Sequence, residues 1–165
     1  MIINGQPLLS LAPIKDMQGD KIARGGTTYG LGEAGYDIRI KQGVVFHKLG
    51  GGHIQNPDGT REHFTGRFVL ASAIEEFDMP TNLVGVVHDK SSWARRGLSV
   101  FNTVIEPGWK GFLTLELVYH GEGELYIPPG SGIAQVLFSD LYERSSYTGR
   151  YQNQEDKPTP AKDAT

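Results

Sequence analysis

One acidic residue in an otherwise apolar strand is the feature most able to support chemistry in this chain. Alternation through GFLTLELVY, residues 111–119, places three leucines and Tyr119 on one face, as expected for a core-facing surface. Glu116 is the lone carboxylate of the opposite face, between Phe112 and Val118. Apolar surroundings raise the pKa of a carboxyl group and suit it to proton transfer near neutral pH. The alternative interpretation is an ordinary solvent-facing glutamate.

A second candidate group lies in DKSSWARRG, residues 89–97. We expect a short helix here, capped by Asp89, Ser91 or Ser92 and ended by Gly97. Hydroxyl groups and free N–H groups at a helix start, with an arginine one turn later, can form an anion site that suits the triphosphate of a nucleotide. The alternative is a capped surface helix with solvated basic side chains.

The segment GYDIR, residues 35–39, places Asp37 and Arg39 on the same side of a predicted short strand. This spacing favours an ion pair or a buried structural arginine over a role in binding metal or phosphate. The five histidines show no metal-ligand spacing, and His53 and His63 are predicted to be solvated in a loop.

Composition excludes several other functions. The chain has no cysteine, so it can form neither a disulfide framework nor a cysteine-based zinc site, and no zinc is expected. Its net charge of −3 lacks the basic excess of a general nucleic-acid-binding protein. No apolar run approaches the ~20 residues that span a bilayer. We therefore expect a soluble, cytoplasmic protein that binds neither nucleic acid nor membrane.

Abundant glycine and short apolar runs predict an all-β fold. Residues 16–34 and 47–66 are interpreted as long loops, and Pro107-Gly108 as the centre of a turn that joins two strands. Eight or more strands around one short helix predict a distorted jelly-roll-like β-barrel. Residues 1–145 are expected to form this single domain, and residues 146–165 a mobile C-terminal tail. Further strands are predicted at 67–77, 83–88 and 132–139.

Several motifs in a fixed order resemble the dCTP deaminase / dUTPase superfamily, and most closely its dCTP deaminase branch. They are YDIR at 36–39, KSSWARRGL at 90–98, IEPGWKG at 105–111, TLEL at 114–117, GIAQVLF at 132–138 and YTGRYQNQ at 147–154. The resemblance extends from the first of these strands to the tail. It implies a β-barrel of the dUTPase-like fold.

The resemblance also implies roles for individual residues. Glu116 matches the catalytic glutamate, which activates water without a metal at the base. Lys90, Ser91, Ser92 and Arg95 match the motif that binds the triphosphate. The remaining substrate-binding positions are Asn102 near the attacking water, Glu106 at the sugar, Gln135 near the nucleotide, and Tyr147, Arg150 and Gln154 in a tail that closes over it.

By the same resemblance, we expect a homotrimer with sites at the subunit interfaces. Mg²⁺ would be bound through the triphosphate of the substrate, with no direct protein ligand. The expected reaction is hydrolytic deamination of dCTP to dUTP and ammonia. The alternatives are a dUTP diphosphatase or a bifunctional enzyme converting dCTP to dUMP by Mg²⁺-assisted attack on the triphosphate, and, more remotely, a non-catalytic nucleotide-binding regulator.

Overall fold

A computed structural model describes residues 1–164, and strands dominate it. There are two helices, α1 (Gly5–Leu11) and α2 (Ser91–Ala94). In chain order, the strands are β1 (Ile2–Ile3), β2 (Lys21–Arg24), β3 (Thr27–Leu31), β4 (Tyr36–Arg39), β5 (Gly43–Phe46), β6 (Gly52–Gln55), β7 (Arg61–Phe64), β8 (Phe68–Asp78), β9 (Leu83–Asp89), β10 (Leu98–Val100), β11 (Val104–Ile105), β12 (Lys110–Tyr119), β13 (Leu125–Ile127) and β14 (Gly132–Asp140).

The strands form three antiparallel sheets rather than one closed circuit within residues 1–164. The largest has the order β11-β9-β14-β4-β3-β2, with β1 also paired to β14. The second is β10-β12-β8, and the third is β13-β5-β6-β7. The all-β, jelly-roll-like class predicted from the sequence is confirmed.

The core lies between the sheets and is built by strand alternation. On β12, Leu113, Leu115 and Leu117 are buried, as the alternation predicted. Burying a leucine side chain contributes about 1.5–3 kcal/mol each. The long partner strand β8 supplies Val69 and Ala71 to the same core.

Several predicted elements are confirmed, including the strands now seen as β8, β9, β12 and β14 and the short helix α2. The 106–109 turn is present, since the Trp109 backbone N–H donates to the Glu106 carbonyl over 3.1 Å. The strands it joins are not paired with each other, because β11 pairs with β9 while β12 pairs with β8 and β10. The turn therefore carries the chain from one sheet to another.

The two segments interpreted as long loops contain hairpins, so that prediction was wrong. Strands β2 and β3 lie in the first segment, and β6 and β7 in the second. Their polar, glycine-rich residues lack the alternation by which a half-buried strand is recognised. His53 and His63 are consequently strand residues, and their rings lie 5.7 Å apart.

Helix α1 was not predicted, although the class of the fold does not change. It begins after Asn4, whose backbone is extended, and ends at Ala12 in the left-handed conformation. The Ala12 N–H donates to the Leu8 carbonyl over 3.1 Å, and Leu8 is fully buried. The helix is too short for sequence periodicity to reveal it. No helix within residues 1–164 has the length and hydropathy needed to cross a membrane.

The cap predicted for α2 is also different. Lys90 occupies the N-cap position, and its side chain forms no capping hydrogen bond within residues 1–164. Asp89 instead accepts a hydrogen bond from the Val100 backbone N–H over 2.6 Å, which ties the end of β9 to β10. Gly97 follows the helix with a φ of 87°.

We predict that Gly132→Ala strongly destabilises the protein. A Cβ at Gly132 would lie 1.8 Å from the Thr28 carbonyl oxygen, so the two backbones would have to separate. We expect a loss of at least about 2 kcal/mol, measured by chemical denaturation. The control is Gly19→Ala, where the added carbon would meet only Leu9 at 3.7 Å. Equal stability of the two variants would contradict the prediction.

Candidate active site

Glu116 projects from β12 into a pocket of about 510 Å³. It lies opposite Leu70 of β8 in the antiparallel register. The pocket is bounded by β8, β12, the segment before β12 and the C-terminal tail. Its lining residues are Phe68, Leu70, Thr103, Val104, Ile105, Glu106, Trp109, Leu113, Thr114, Glu116, Tyr147, Tyr151, Gln154, Thr159 and Ala161.

The environment of the Glu116 carboxyl favours its protonated form. Burial raises its pKa above the ordinary value, and this outweighs the smaller opposing effects of its own backbone N–H and the Thr103 hydroxyl. Thr103 Oγ1 donates to Glu116 Oε2 over 3.4 Å. No ion pair involves Glu116 within residues 1–164. A half-buried carboxyl of this kind retains its proton to higher pH than a solvent-exposed glutamate, which suits it to proton transfer.

Backbone contacts bring the segment before β12 against Glu116. The Phe101 N–H donates to the Glu116 carbonyl over 3.0 Å, which extends the pairing of β10 with β12. The Thr103 carbonyl accepts from Val87 of β9 over 2.9 Å. Thr103 is therefore held between two sheets, with its hydroxyl beside the carboxylate.

The tail is docked along this same face. Trp109 Nε1 donates to the Tyr151 carbonyl over 2.6 Å, and Gln152 Nε2 donates to the Gly108 carbonyl over 2.9 Å. Further along, Gln154 forms a parallel bridge to Gly111. Gly111 has a φ of 132°, and a Cβ there would lie 2.5 Å from the Gln154 nitrogen. Glycine is thus required where the tail backbone meets β12.

A separate polar cluster lies beside α2. Lys90 forms an ion pair with Asp37, and its Nζ is also 3.2 Å from Thr28 Oγ1. Gln135 Nε2 donates to Asp37 Oδ1 over 3.4 Å. Asp37 and Arg39 are not paired with each other; Arg39 Nε instead donates to Glu75 Oε1 over 2.8 Å. Asp37 and Arg39 therefore both form ion pairs, as one of the predicted alternatives required. Their partners lie on different elements, Lys90 at the start of α2 and Glu75 on β8.

The rest of the α2 motif has unused hydrogen-bonding capacity. Ser92 Oγ is buried and has no hydrogen-bond partner within residues 1–164. The Arg95 side chain is exposed and forms no ion pair within the same residues. Arg96 differs from Arg95, because its guanidinium lies 4.8 Å from the centre of the Trp93 ring. Outside the Glu116 pocket, the motif therefore presents an available guanidinium and holds a buried hydroxyl group that has no hydrogen-bond partner among the described residues.

The structure brings together only some of the residues assigned from the sequence. Glu106, Tyr147 and Gln154 line the Glu116 pocket, whereas the α2 motif, Gln135, Asn102 and Arg150 do not. Asn102 and Arg150 are exposed. Among the described residues, the pocket lining has two carboxylates, Glu106 and Glu116, and no lysine or arginine.

Sequence reasoning missed several pocket residues. Thr114 could have been found, because it lies on the Glu116 face two positions earlier in the alternation. Thr103 and Trp109 could not have been assigned their contacts from local pattern. Their partners, Glu116 and Tyr151, are separated from them along the chain and meet them only in the fold.

No metal-binding cluster of three or more His, Asp or Glu side chains exists in the described chain. An ion bound through substrate phosphates does not need such a cluster, since phosphate oxygens and water can supply its ligands.

The fold is shared with solved dUTPases. The native EIAV dUTPase superposes with a TM-score of 0.52 at 17% identity, covering 90% of this chain and 96% of that one. The Staphylococcus bacteriophage 80alpha dUTPase gives 0.53 at 15% identity, covering 82% and 91%. A dUTPase variant from phage phi11 of S. aureus, which coordinates a structural Mg(II) ion, gives 0.52 at 14% identity, covering 72% and 84%. The architecture is therefore that of the dUTPase-like fold.

Sequence relatives narrow this class to one family. The dCTP deaminase-like family model matches residues 9–141. A dCTP deaminase of Campylobacter curvus is 35% identical over 153 aligned positions, covering 82% of each chain. One from Campylobacter jejuni is 33% identical over 150 positions, covering 81% of each. The chain belongs to the dCTP deaminase-like family.

We predict that Glu116→Gln stabilises the fold at neutral pH. Because burial raises the folded-state pKa of Glu116, its ionisation opposes folding. This penalty is absent below the ordinary pKa of a glutamate, grows as pH rises towards the folded-state pKa, and is fully present above it. The gain in Tm over wild type should therefore be near zero at low pH and positive at pH 7.

The control is Glu122→Gln, which removes an exposed carboxylate. It should not reproduce the pH-dependent gain in Tm. A Glu116→Gln variant whose Tm difference from wild type stays constant across this pH range would contradict the assigned environment.

Proposed function

We propose that this protein hydrolytically deaminates dCTP to dUTP and ammonia, with Glu116 as the group that transfers protons. The observation that carries the proposal is the half-buried Glu116 carboxyl, whose pKa burial raises, in a pocket that also holds Glu106. Membership of the dCTP deaminase-like family supports the choice of substrate. The pocket's polar lining of carboxylates and hydroxyls suits a neutral base and a sugar.

The proposed chemistry uses the two states of one carboxyl group. Glu116 as carboxylate takes a proton from water while the water oxygen bonds to C4 of cytosine, and the proton passes to the ring nitrogen. In the second step the new hydroxyl group loses its proton through Glu116 to the departing amine. The bond between C4 and the exocyclic amine nitrogen then breaks, so that ammonia leaves and C4 becomes a carbonyl carbon. A raised pKa brings the two protonation states closer in free energy, which favours both transfers.

Thr103 supports this cycle through its hydroxyl group. It donates to the carboxylate form of Glu116 and so holds one carboxyl oxygen in place. In this cycle every proton transfer passes through Glu116, and no metal ion acts at the base.

A complete site requires a second copy of the chain. Among residues 1–164, the lining of the Glu116 pocket includes no lysine or arginine. Ser91 and Arg95 present a hydroxyl group and a guanidinium elsewhere on the surface, and Ser92 holds a buried hydroxyl group beside them. Phe68 and Phe101, beside the pocket, are 47% and 51% exposed. In the homotrimer that we propose, a neighbouring subunit would cover these rings and supply its α2 motif to the triphosphate.

Mg²⁺ would accompany the nucleotide and offset the negative charge of its phosphates. The contribution of the protein is the set of hydroxyl and guanidinium donors on α2. Lys90 would act beside them with its charge already partly balanced by Asp37. Gln135, held on the same aspartate, would lie near the nucleotide.

The tail provides the third part of the site. Tyr147 and Gln154 already line the pocket, and Arg150 lies over the Tyr151 ring at 5.4 Å. We propose that these residues close over bound nucleotide and separate the reacting base and its attacking water from bulk solvent. Thr165, the last residue of the proposed tail, lies outside the described residues.

A second candidate is a dUTP diphosphatase, alone or combined with deamination. It is favoured by Glu106, a carboxylate in the same pocket that could orient water for attack on phosphorus. A catalytically silent regulator is the third candidate.

The product assay separates these candidates. The protein is incubated with dCTP or with dUTP, each with Mg²⁺, and ammonia and pyrophosphate are measured. We expect ammonia from dCTP without pyrophosphate. Pyrophosphate from dUTP would establish the diphosphatase, and tight binding with neither product would establish a regulator.

We predict that Glu116→Gln abolishes deamination while retaining affinity for dCTP. The amide keeps the shape of the side chain but cannot accept the water proton at neutral pH. Turnover is measured by ammonia release and affinity by calorimetry. Near-normal turnover in this variant would eliminate Glu116 as the proton carrier.

We also predict that Arg95→Ala weakens dCTP binding by about 1.5–3 kcal/mol, the range for a lost hydrogen bond to a charged group. The matched control is Arg96→Ala, because the Arg96 guanidinium is engaged with Trp93. An unchanged Kd for Arg95→Ala, or equal losses in both variants, would refute the assignment of Arg95 to the triphosphate.

A further inference from the structure

Thr114 joins the catalytic strand to the tail through one side-chain oxygen. It lies on β12 two residues before Glu116 and is 8% exposed. Its Oγ1 accepts a hydrogen bond from Gln154 Nε2 and a second from the Thr159 backbone N–H over 2.9 Å. Both donors belong to the tail, so a single hydroxyl group holds two points of that segment against β12.

Neighbouring contacts restrict the tail to the same path. The Phe112 N–H donates to the Gln154 carbonyl over 3.1 Å, beside the bridge between Gly111 and Gln154. Beyond this point, Asp156 forms an ion pair with Lys41. The tail bends at Asp156 and Lys157. Thr114 of β12 bonds to a residue on each side of this bend, Gln154 before it and Thr159 after it.

We propose that Thr114 is a positioning residue for the reaction, which sets the docked position of the tail relative to Glu116. This role rests on the proposed function, since it assumes that the docked tail completes the pocket around the base. Gln154 and Thr159 both line the pocket that contains Glu116. Thr114 therefore acts on the substrate through the tail.

The hydroxyl group is the part of Thr114 that this role requires. Replacement by valine keeps the branched shape and leaves two tail donors without their acceptor. Unpaired donors in a partly buried place favour release of the tail into water. Replacement by serine keeps the acceptor and removes only a methyl group.

Thr114→Val is expected to expose the tail and slow the reaction. Amide hydrogen exchange of residues 151–159, measured without nucleotide, should accelerate about tenfold, as expected for the loss of one to two net hydrogen bonds. We expect kcat/KM for dCTP to fall by about the same factor. Thr114→Ser should remain close to wild type in both measurements.

Thr103→Val is the matched control on the other side of the pocket. Its hydroxyl group touches Glu116 and no tail residue within residues 1–164. The Thr103→Val substitution removes a hydrogen bond that lowers the pKa of Glu116, so the acid limb of the pH–rate profile should move to higher pH. Amide exchange in the tail should stay unchanged. Thr114→Val should accelerate tail exchange and leave that limb in place.

A double-mutant cycle with Gln154→Ala tests whether Thr114 acts through the tail. The combined variant should lose less activity than the product of the two single losses, because both changes break the same contact. Full additivity, or unchanged tail exchange in Thr114→Val, would overturn the proposal. If Thr114→Val does not fold, the Gln154→Ala variant serves as the test. Amide exchange of its tail at the wild-type rate would also overturn the proposal.

The exchange measurement needs no turnover. If the wild-type protein released no ammonia from dCTP, the proposed reaction would fail, while tail exchange would still report whether Thr114 docks the tail. Faster exchange with unchanged deamination would instead preserve the reaction and reject the positioning role.

Discussion

The antiparallel pairing of β8 with β12 is the constraint on which the site depends. The inner faces of both strands are committed to the core, so alternation forces Glu116 and Leu70 onto the opposite face. A slip of one residue would bury the carboxylate and expose the leucines. The same hydrophobic burial that stabilises the fold therefore also holds a carboxyl group among apolar neighbours, where its pKa is raised.

The ionisable side chains that line the Glu116 pocket differ in charge from those beside α2. Within residues 1–164, the ionisable side chains that line the Glu116 pocket are two glutamates and two tyrosines, whereas Lys90, Arg95 and Arg96 lie at or beside α2. This separation has a chemical advantage in the proposed reaction. An arginine beside Glu116 would lower the pKa of its carboxyl group, whereas a triphosphate requires such cations. A nucleotide that spans two copies of the chain would meet both requirements without bringing the cations to the carboxylate.

Local patterns in the sequence were sufficient for the elements with strong alternation. Strand β12, strand β14 and the 106–109 turn follow from side-chain period and from Pro107-Gly108. The hairpins formed by β2–β3 and β6–β7 were missed because their residues are polar and glycine-rich. The crossing between sheets at the turn was also missed, since a turn motif determines a change of direction but not which strand pairs next.

The sequence by itself determined the face on which Glu116 lies and the order of the motifs that identify the family, because both are properties of adjacent residues. The roles assigned to the α2 and tail residues stay predictions. Tertiary structure alone decided that Thr103 reaches Glu116, that Lys90 pairs with Asp37, and that Thr114 accepts two hydrogen bonds from the tail. Those contacts join residues 13 to 53 positions apart, so they depend on how sheets and tail pack and not on any local pattern.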